Sequence, residues 1–150
     1  MPLKNREMLM DRPLRAAVIG GSNSVMRYGW VRGLQNAGIK LAKNASLGSS
    51  SNAILASRLP EIKNPNLDLL FVNTTVNEYY PIRDRMYDIE LSRQYVRHIL
   101  AWAGEYRVLP IYIIYPHRRV LDDIKSNRRT FDQESFAIEM CEDFQIPYIN

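Results

Sequence analysis

The run Asp68-Leu-Leu-Phe-Val-Asn73 limits the fold more than any other feature of the chain. Strand side chains alternate between the two faces of a sheet, and here both alternating sets are apolar. A strand of this kind needs cover on both sides, as central strands of parallel sheets have. Shorter apolar runs recur at Arg15-Ala-Ala-Val-Ile-Gly20, more weakly at residues 39–46, at residues 108–115 and at residues 146–149. Each is bounded by glycine, proline or polar residues.

The stretches between these runs have helical spacing. Residues 24–37 place Val25, Met26, Trp30, Val31 and Leu34 near one helical face, with Trp30 expected in the core, and Gly38 is a natural stop. A short helix is predicted over residues 51–59, closed by Pro60, and a long one over residues 88–104, with Ile89, Val96, Ile99, Leu100 and Ala103 inward. Thr130-Phe-Asp-Gln133 has the form of a capping box opening a helix to about residue 144. Strand–helix alternation with short connections predicts an α/β fold, a three-layer sandwich around a parallel sheet of about five strands. Residues 1–13 read as a polar arm and residues 14–150 as one domain, long enough to bury a sizeable core.

Composition excludes several classes. No apolar run approaches the ~20 residues of a membrane helix. The opening MPLKNREMLMDRP mixes both charge signs and has no hydrophobic stretch, unlike a secretory leader. A single cysteine, Cys141, allows no internal disulfide and suits a reducing compartment, so the cytoplasm is expected. Cys141 itself reads as a small apolar helix residue. The net charge of +4 is dispersed over residues 83–85, 117–119 and 128–129, which reads as solvated surface; attraction to an anionic substrate, carrier or membrane surface is the sharper alternative. Neither a recognition helix nor an RNP-like aromatic pair occurs, so no nucleic-acid partner is expected. Metal-ligand spacing is absent, and Asp84, Asp88 and Glu90 read as helix-start acids. Phosphate-loop and dinucleotide glycine patterns are also absent, so no cofactor is expected.

In open parallel sheets, ligands bind beyond the carboxyl ends of the strands. Those ends carry residues 21–24, 48–51, 73–78 and 116–119, all rich in glycine and polar side chains. In Gly20-Gly21-Ser22-Asn23-Ser24, the glycines permit a sharp strand-to-helix turn with room above the serine. Helix N–H groups there can stabilise an oxyanion beside a serine nucleophile. The plain alternative is a helix N-cap, which Ser22, Asn23 or Ser24 could each supply. Gly48, in Asn44-Ala-Ser-Leu-Gly48-Ser-Ser-Ser51, offers a backbone N–H after the second strand, or simply a turn. In Thr75-Val-Asn77-Glu78 the Asn77 amide can donate a further bond, or form an Asx turn. Alone, each segment is ordinary; at three successive strand ends they favour a site. Asn23, Glu78, Tyr79 and His117 are the candidate substrate contacts, with Tyr79-Tyr80 suited to packing on a sugar or acyl group.

Ser22, Gly48 and Asn77 together resemble the first three blocks of the SGNH hydrolases, the GDSL-like lipases and esterases. The resemblance covers about residues 15–150. It implies a flavodoxin-like SGNH fold, Ser22 as nucleophile, and an oxyanion hole made of the Ser22 and Gly48 backbone N–H groups and the Asn77 amide. It also implies an acyl-serine intermediate in ester hydrolysis or O-acyl transfer. Gly21 stands where the family has Asp, Thr75 where it has Gly, and Glu78 where it has Asp. The segment GGSNSVMRYGW is similar to SGNH-type proteins of bacterial surface-polysaccharide synthesis, which implies an acylated carbohydrate substrate. The family's Asp-x-x-His block, source of the general base, follows its fifth strand. This chain reaches Asn150 inside or just after that strand, so the domain is expected to be truncated at its C-terminus. Of the two histidines, His98 lies mid-helix and His117 follows the fourth strand. A non-catalytic domain holding an acyl or anionic sugar group is the alternative function. A nucleotide or receiver module would want a phosphate loop or acidic cluster at the strand ends, and has neither.

Overall fold

Four apolar runs and the more polar Lys40–Asn44 become the strands of one parallel sheet. In chain order they are β1 (Arg15–Gly20), β2 (Lys40–Asn44), β3 (Leu69–Asn73), β4 (Leu109–Ile113) and β5 (Tyr148–Ile149). Their spatial order is β2-β1-β3-β4-β5. The structure is a computed structural model, which describes residues 12–63, 66–73, 77–78, 82, 88–115 and 133–150. Every residue of β3 is buried, as its two apolar faces require.

Side-chain alternation along the strands divides the core in two. Ala17 and Ile19 of β1, Leu70 and Val72 of β3, and Tyr112 of β4 face one layer. That layer is formed by α3 (Asn52–Arg58), α4 (Ile89–Glu105) and α5 (Gln133–Asp143), which supply Leu55, Val96, Ile99, Met140 and Cys141. Ala16, Val18, Leu69, Phe71 and Ile113 face the other layer, where α2 (Trp30–Asn36) supplies Val31 and, partly buried, Trp30 and Leu34. Trp30 meets Phe71 edge-on, with ring centroids 5.9 Å apart and planes at 68°. Such a pair adds about 1 kcal/mol beyond the area it buries. Cys141 is fully buried as an apolar residue, and burial pushes its thiol up to about 12.

The predicted helix over residues 24–37 is two helices. A four-residue α1 (Ser22–Val25) ends at Met26, whose backbone is extended, and α2 begins after Gly29. The cause is a close approach. A Cβ on Gly29 would stand 2.7 Å from the Asn23 carbonyl oxygen, so the chain folds back there only because residue 29 is glycine. Gly38, at φ +88°, ends α2 as expected, with the Ile39 N–H donating to the Leu34 carbonyl. Asp88 caps α4, its side chain accepting from the Leu91 N–H at 2.7 Å. The capping-box residue Thr130 lies outside the described residues. No helix among the described residues is long and apolar enough to cross a membrane.

At the amino end of the sheet, the Arg12 guanidinium forks onto both Asp68 oxygens at 2.6 and 2.8 Å, and the Arg15 backbone N–H donates to one of them. Hydrogen bonding from Arg12 holds the Asp68 carboxyl below the usual carboxylate range, against the opposing effect of partial burial. A carboxyl lowered on folding contributes its stability above its unfolded value and loses it as pH falls through the lower folded one. Arg12→Ala is therefore expected to lower the urea midpoint by a constant amount from pH 7 to pH 5. That difference should shrink to nothing as acid takes the pH below the ordinary carboxylate range. A difference that stays the same down to pH 2 would show that the pair contributes through something other than Asp68 ionisation.

Candidate active site

The strand order places β1 and β3 side by side, with β2 reached outward from β1 and β4 outward from β3. This reversal opens a crevice at the carboxyl ends of β1 and β3, where doubly wound folds bind ligands. Ser22 follows β1 and Asn77 follows β3, one on each side of that crevice.

β1 leaves the sheet through Gly20-Gly21. The Gly21 N–H donates to the Asn73 carbonyl at 3.0 Å, and the Ser24 N–H donates back to the Gly21 carbonyl at 3.0 Å. Residue 20 has no room for a side chain, because a Cβ there would meet the Ser24 hydroxyl at 2.1 Å. The three polar residues that open α1 have different surroundings. Ser24 is buried, its hydroxyl 3.4 Å from Asn73 Oδ1, and its carbonyl accepts from Asn44 Nδ2 at 2.8 Å. Asn23 is half-buried, and Ser22 is exposed. The N-cap position is Gly21, with no side-chain capping bond, so none of the three serves as the cap. Among the described residues, no side chain hydrogen-bonds the Ser22 hydroxyl.

The Asn77 side-chain amide reaches this turn. Its Nδ2 lies 2.0 Å from the place a Cβ on Gly21 would occupy. Glycine at position 21 is thus what lets the amide lie against the residue preceding Ser22. Gly48 sits in an exposed turn that is laid along the end of β1 by two bonds and closed on itself by a third. The Ala45 N–H donates to the Val18 carbonyl at 2.8 Å, the Leu47 N–H to the Gly20 carbonyl at 2.9 Å, and the Ser50 hydroxyl to the Leu47 carbonyl at 2.7 Å. The segments carrying Ser22, Asn77 and Gly48 therefore meet at one edge of the sheet. Apolar side chains rim the same edge: Val25, Met26, Tyr28 and Leu47 are all exposed, Tyr28 by 85%.

Glu78 corrects an expectation. Anticipated as a substrate contact, it is buried, and its carboxylate accepts from the Asn52 backbone N–H and, at 3.1 Å, from the Ser92 hydroxyl. The Ser92 oxygen in turn accepts from Asn52 Nδ2 at 3.0 Å. The N-cap of α3, Ser51, makes no side-chain capping bond, so Glu78 supplies the acceptor at that helix start and ties it to α4. Tyr79, His117 and Thr75 lie outside the described residues. His98 is exposed on α4, beside a groove it shares with Ala53, Leu91 and Tyr95, and takes no part in the Ser22 crevice.

Asn73 was not singled out from the sequence, yet it organises the site. It is buried at the end of β3, donates to the Ile113 carbonyl at 2.8 Å, faces the Ser24 hydroxyl and accepts from the Gly21 N–H. The available signal was an amide closing a run that is otherwise apolar on both faces.

A parallel sheet in this order, with polar residues at the switch point, defines a doubly wound α/β domain with a crevice beside Ser22. More narrowly, the fold is that of the SGNH, or GDSL-like, hydrolases. TesA superimposes with a TM-score of 0.65 at 17% identity, covering 89% of this chain and 76% of its own. AlinE4, an SGNH-hydrolase family esterase, gives 0.63 at 14% identity, over 93% of this chain and 77% of its own. A GDSL-like lipase from Bacteroides thetaiotaomicron gives 0.61 at 15% identity, over 98% and 75%. No protein-family model matches the chain, and no curated protein matches it in sequence.

Proposed function

We propose that the protein is a serine ester hydrolase or O-acyltransferase that works through an acyl-Ser22 intermediate on an acylated carbohydrate. One observation carries this reading: the Asn77 amide nitrogen lies against Gly21, directly before the exposed Ser22. In the reaction, Ser22 Oγ attacks the ester carbonyl and its proton passes to a base. The resulting oxyanion accepts from the Ser22 and Gly48 N–H groups and from Asn77 Nδ2. Collapse expels the alcohol, which takes a proton, and water or an acceptor hydroxyl then releases the acyl group. Donors fixed in place before charge develops are the main source of rate in such sites. His117, placed by the sequence at the same edge, and Tyr79 remain the proposed contacts to substrate, together with Asn23. The acetyl xylan esterase Axe2 of Geobacillus stearothermophilus has the same fold at a TM-score of 0.62, which favours a sugar ester. So does the exposed Tyr28 ring at the rim.

A fluorophosphonate probe tests the nucleophile. Stoichiometric labelling mapped to Ser22 by mass spectrometry is expected, and equal labelling of Ser22→Ala would defeat the proposal. Two variants test the oxyanion donors. Asn77→Ala removes the amide, and Gly21→Ala puts a methyl group where that amide lies. Each is expected to lower kcat by on the order of 100-fold with little change in KM. A loss confined to KM would move Asn77 from the oxyanion hole to ground-state binding.

A second reading, a non-catalytic domain that holds an acyl or anionic sugar group, draws on the lack of a described side chain bonded to the Ser22 hydroxyl. It requires ligand binding that survives Ser22→Ala and no turnover above that variant.

A further inference from the structure

At the end of the sheet opposite Ser22, a cavity of about 520 Å³ is lined by Arg12, Arg15, Asp68, Tyr106 and Arg107, together with Asn66 and Leu67. The six residues of β1 separate the two regions by about 20 Å, so this cavity is not part of the crevice described above. Three guanidinium groups here face one carboxylate. Asp68 is fully engaged, since Arg12 holds both of its oxygens and the Arg15 backbone N–H a second time holds one. Arg12 is thereby matched in charge. Arg15 and Arg107 have no ion-pair partner among the described residues.

One detail points to an absent acceptor. Arg15 Nε is buried and donates to nothing, and buried donors are nearly always satisfied. Arg107 stands on the cavity wall at φ +56°, the left-handed turn that closes α4. The turn that carries it also quiets the negative end of α4. The Tyr106, Arg107 and Val108 N–H groups take the Trp102, Gly104 and Ala103 carbonyls at 3.1, 3.2 and 2.8 Å. Tyr106 packs against Trp102 with centroids 4.8 Å apart and planes tilted at 36°, and the residue is 44% exposed.

We propose that this cavity binds a phosphoryl group, with the Arg15 and Arg107 forks on its oxygens and the Tyr106 ring beside whatever the group is attached to. Two unmatched cations suit a charge between −1.5 and −2, roughly that of a phosphate monoester at pH 7. Planar guanidinium forks pair with phosphate through parallel hydrogen bonds, which a single carboxylate would use on only one of them.

The test is a titration of the whole chain with sodium phosphate at constant ionic strength, following arginine Nε–H and Tyr106 amide signals by NMR. Saturable shifts at Arg15 and Arg107 are expected. Arg107→Gly removes one fork at a backbone conformation glycine favours, and should keep the melting temperature while weakening phosphate binding about tenfold. Arg107→Asn, which also tolerates that conformation, gives the same reading should the glycine variant fail to fold. Equal affinity for inorganic phosphate and glucose 1-phosphate assigns the cavity to the phosphoryl group alone. Tighter binding of the sugar phosphate extends the site over Tyr106. Shifts that never saturate, glucuronate binding as tight as glucose 1-phosphate, or unchanged affinity in both Arg107 variants would each overturn the proposal. Ser22→Ala should bind phosphate like the unaltered protein, which keeps this site separate from the fate of the hydrolase reading.

Discussion

Ser22→Ala is expected to lower kcat on a small acyl ester by roughly 10⁴-fold or more while leaving the melting temperature unchanged. The size of the effect follows from chemistry. Without its hydroxyl the site cannot form an acyl-enzyme, and only oxyanion stabilisation and binding are left, which together retain a small part of the catalysis. The unchanged stability follows from position. Ser22 is exposed, and no described side chain bonds its hydroxyl, so its removal leaves no buried partner unsatisfied. Changes at such surface positions stay within about 0.5 kcal/mol. Steady-state hydrolysis of p-nitrophenyl acetate beside a thermal melt checks both halves. Ser24→Ala is the informative contrast, because Ser24 is buried against Asn73 and should lose stability before it loses chemistry.

Glu78→Ala is expected to be the most destabilising single change near the site, at about 3–5 kcal/mol. It removes a buried carboxylate and strands two donors at once, the Asn52 backbone N–H at the start of α3 and the Ser92 hydroxyl on α4. The melting temperature should fall by about 10 °C or more for a domain of this length. Glu78→Gln keeps one acceptor in place and should lose clearly less. Guanidinium unfolding of the two variants measures the difference. Equal stability of Glu78→Ala and the unaltered protein would mean that these bonds do not hold α3 and α4 together.

β1 and β3 were readable because two-sided burial leaves a simple mark, a short run with no polar position between its ends. β3 begins and ends within a residue of where its sequence predicts, and β1 coincides with its run. The helix over residues 24–37 was read as continuous because Val25, Met26, Trp30, Val31 and Leu34 fit one periodic face. Periodicity does not register that Gly29 approaches the Asn23 carbonyl too closely for any other residue. The site divides in the same way. Ser22, Gly48 and Asn77 stand at strand ends, and strand ends can be read. Glu78 also stands at one, but its role depends on Asn52 and Ser92, which are distant in sequence and carry no mark of the contact. The capping alternative for Ser22 could be settled only by the backbone, which makes Gly21 the cap.

Asn73 touches nothing at the surface, yet it joins the β1 turn, β3 and β4 through the bonds at Gly21, Ser24 and Ile113. Fraying at any of these strand ends must therefore disturb the others, which couples the loop before Ser22 to opening of the sheet centre. Hydrogen exchange makes that coupling visible. The Gly21 amide, one residue from an exposed side chain, donates to the Asn73 backbone carbonyl and should exchange nearly as slowly as the β3 amides. Asn73→Ala keeps that bond and removes only the side-chain links to Ser24 and Ile113, so any faster exchange at Gly21 in the variant measures the coupling through those links. Loop residues that bear function usually come from the least protected part of a protein; here one buried residue, through its backbone carbonyl and its side chain together, lends this loop the kinetic protection of the core.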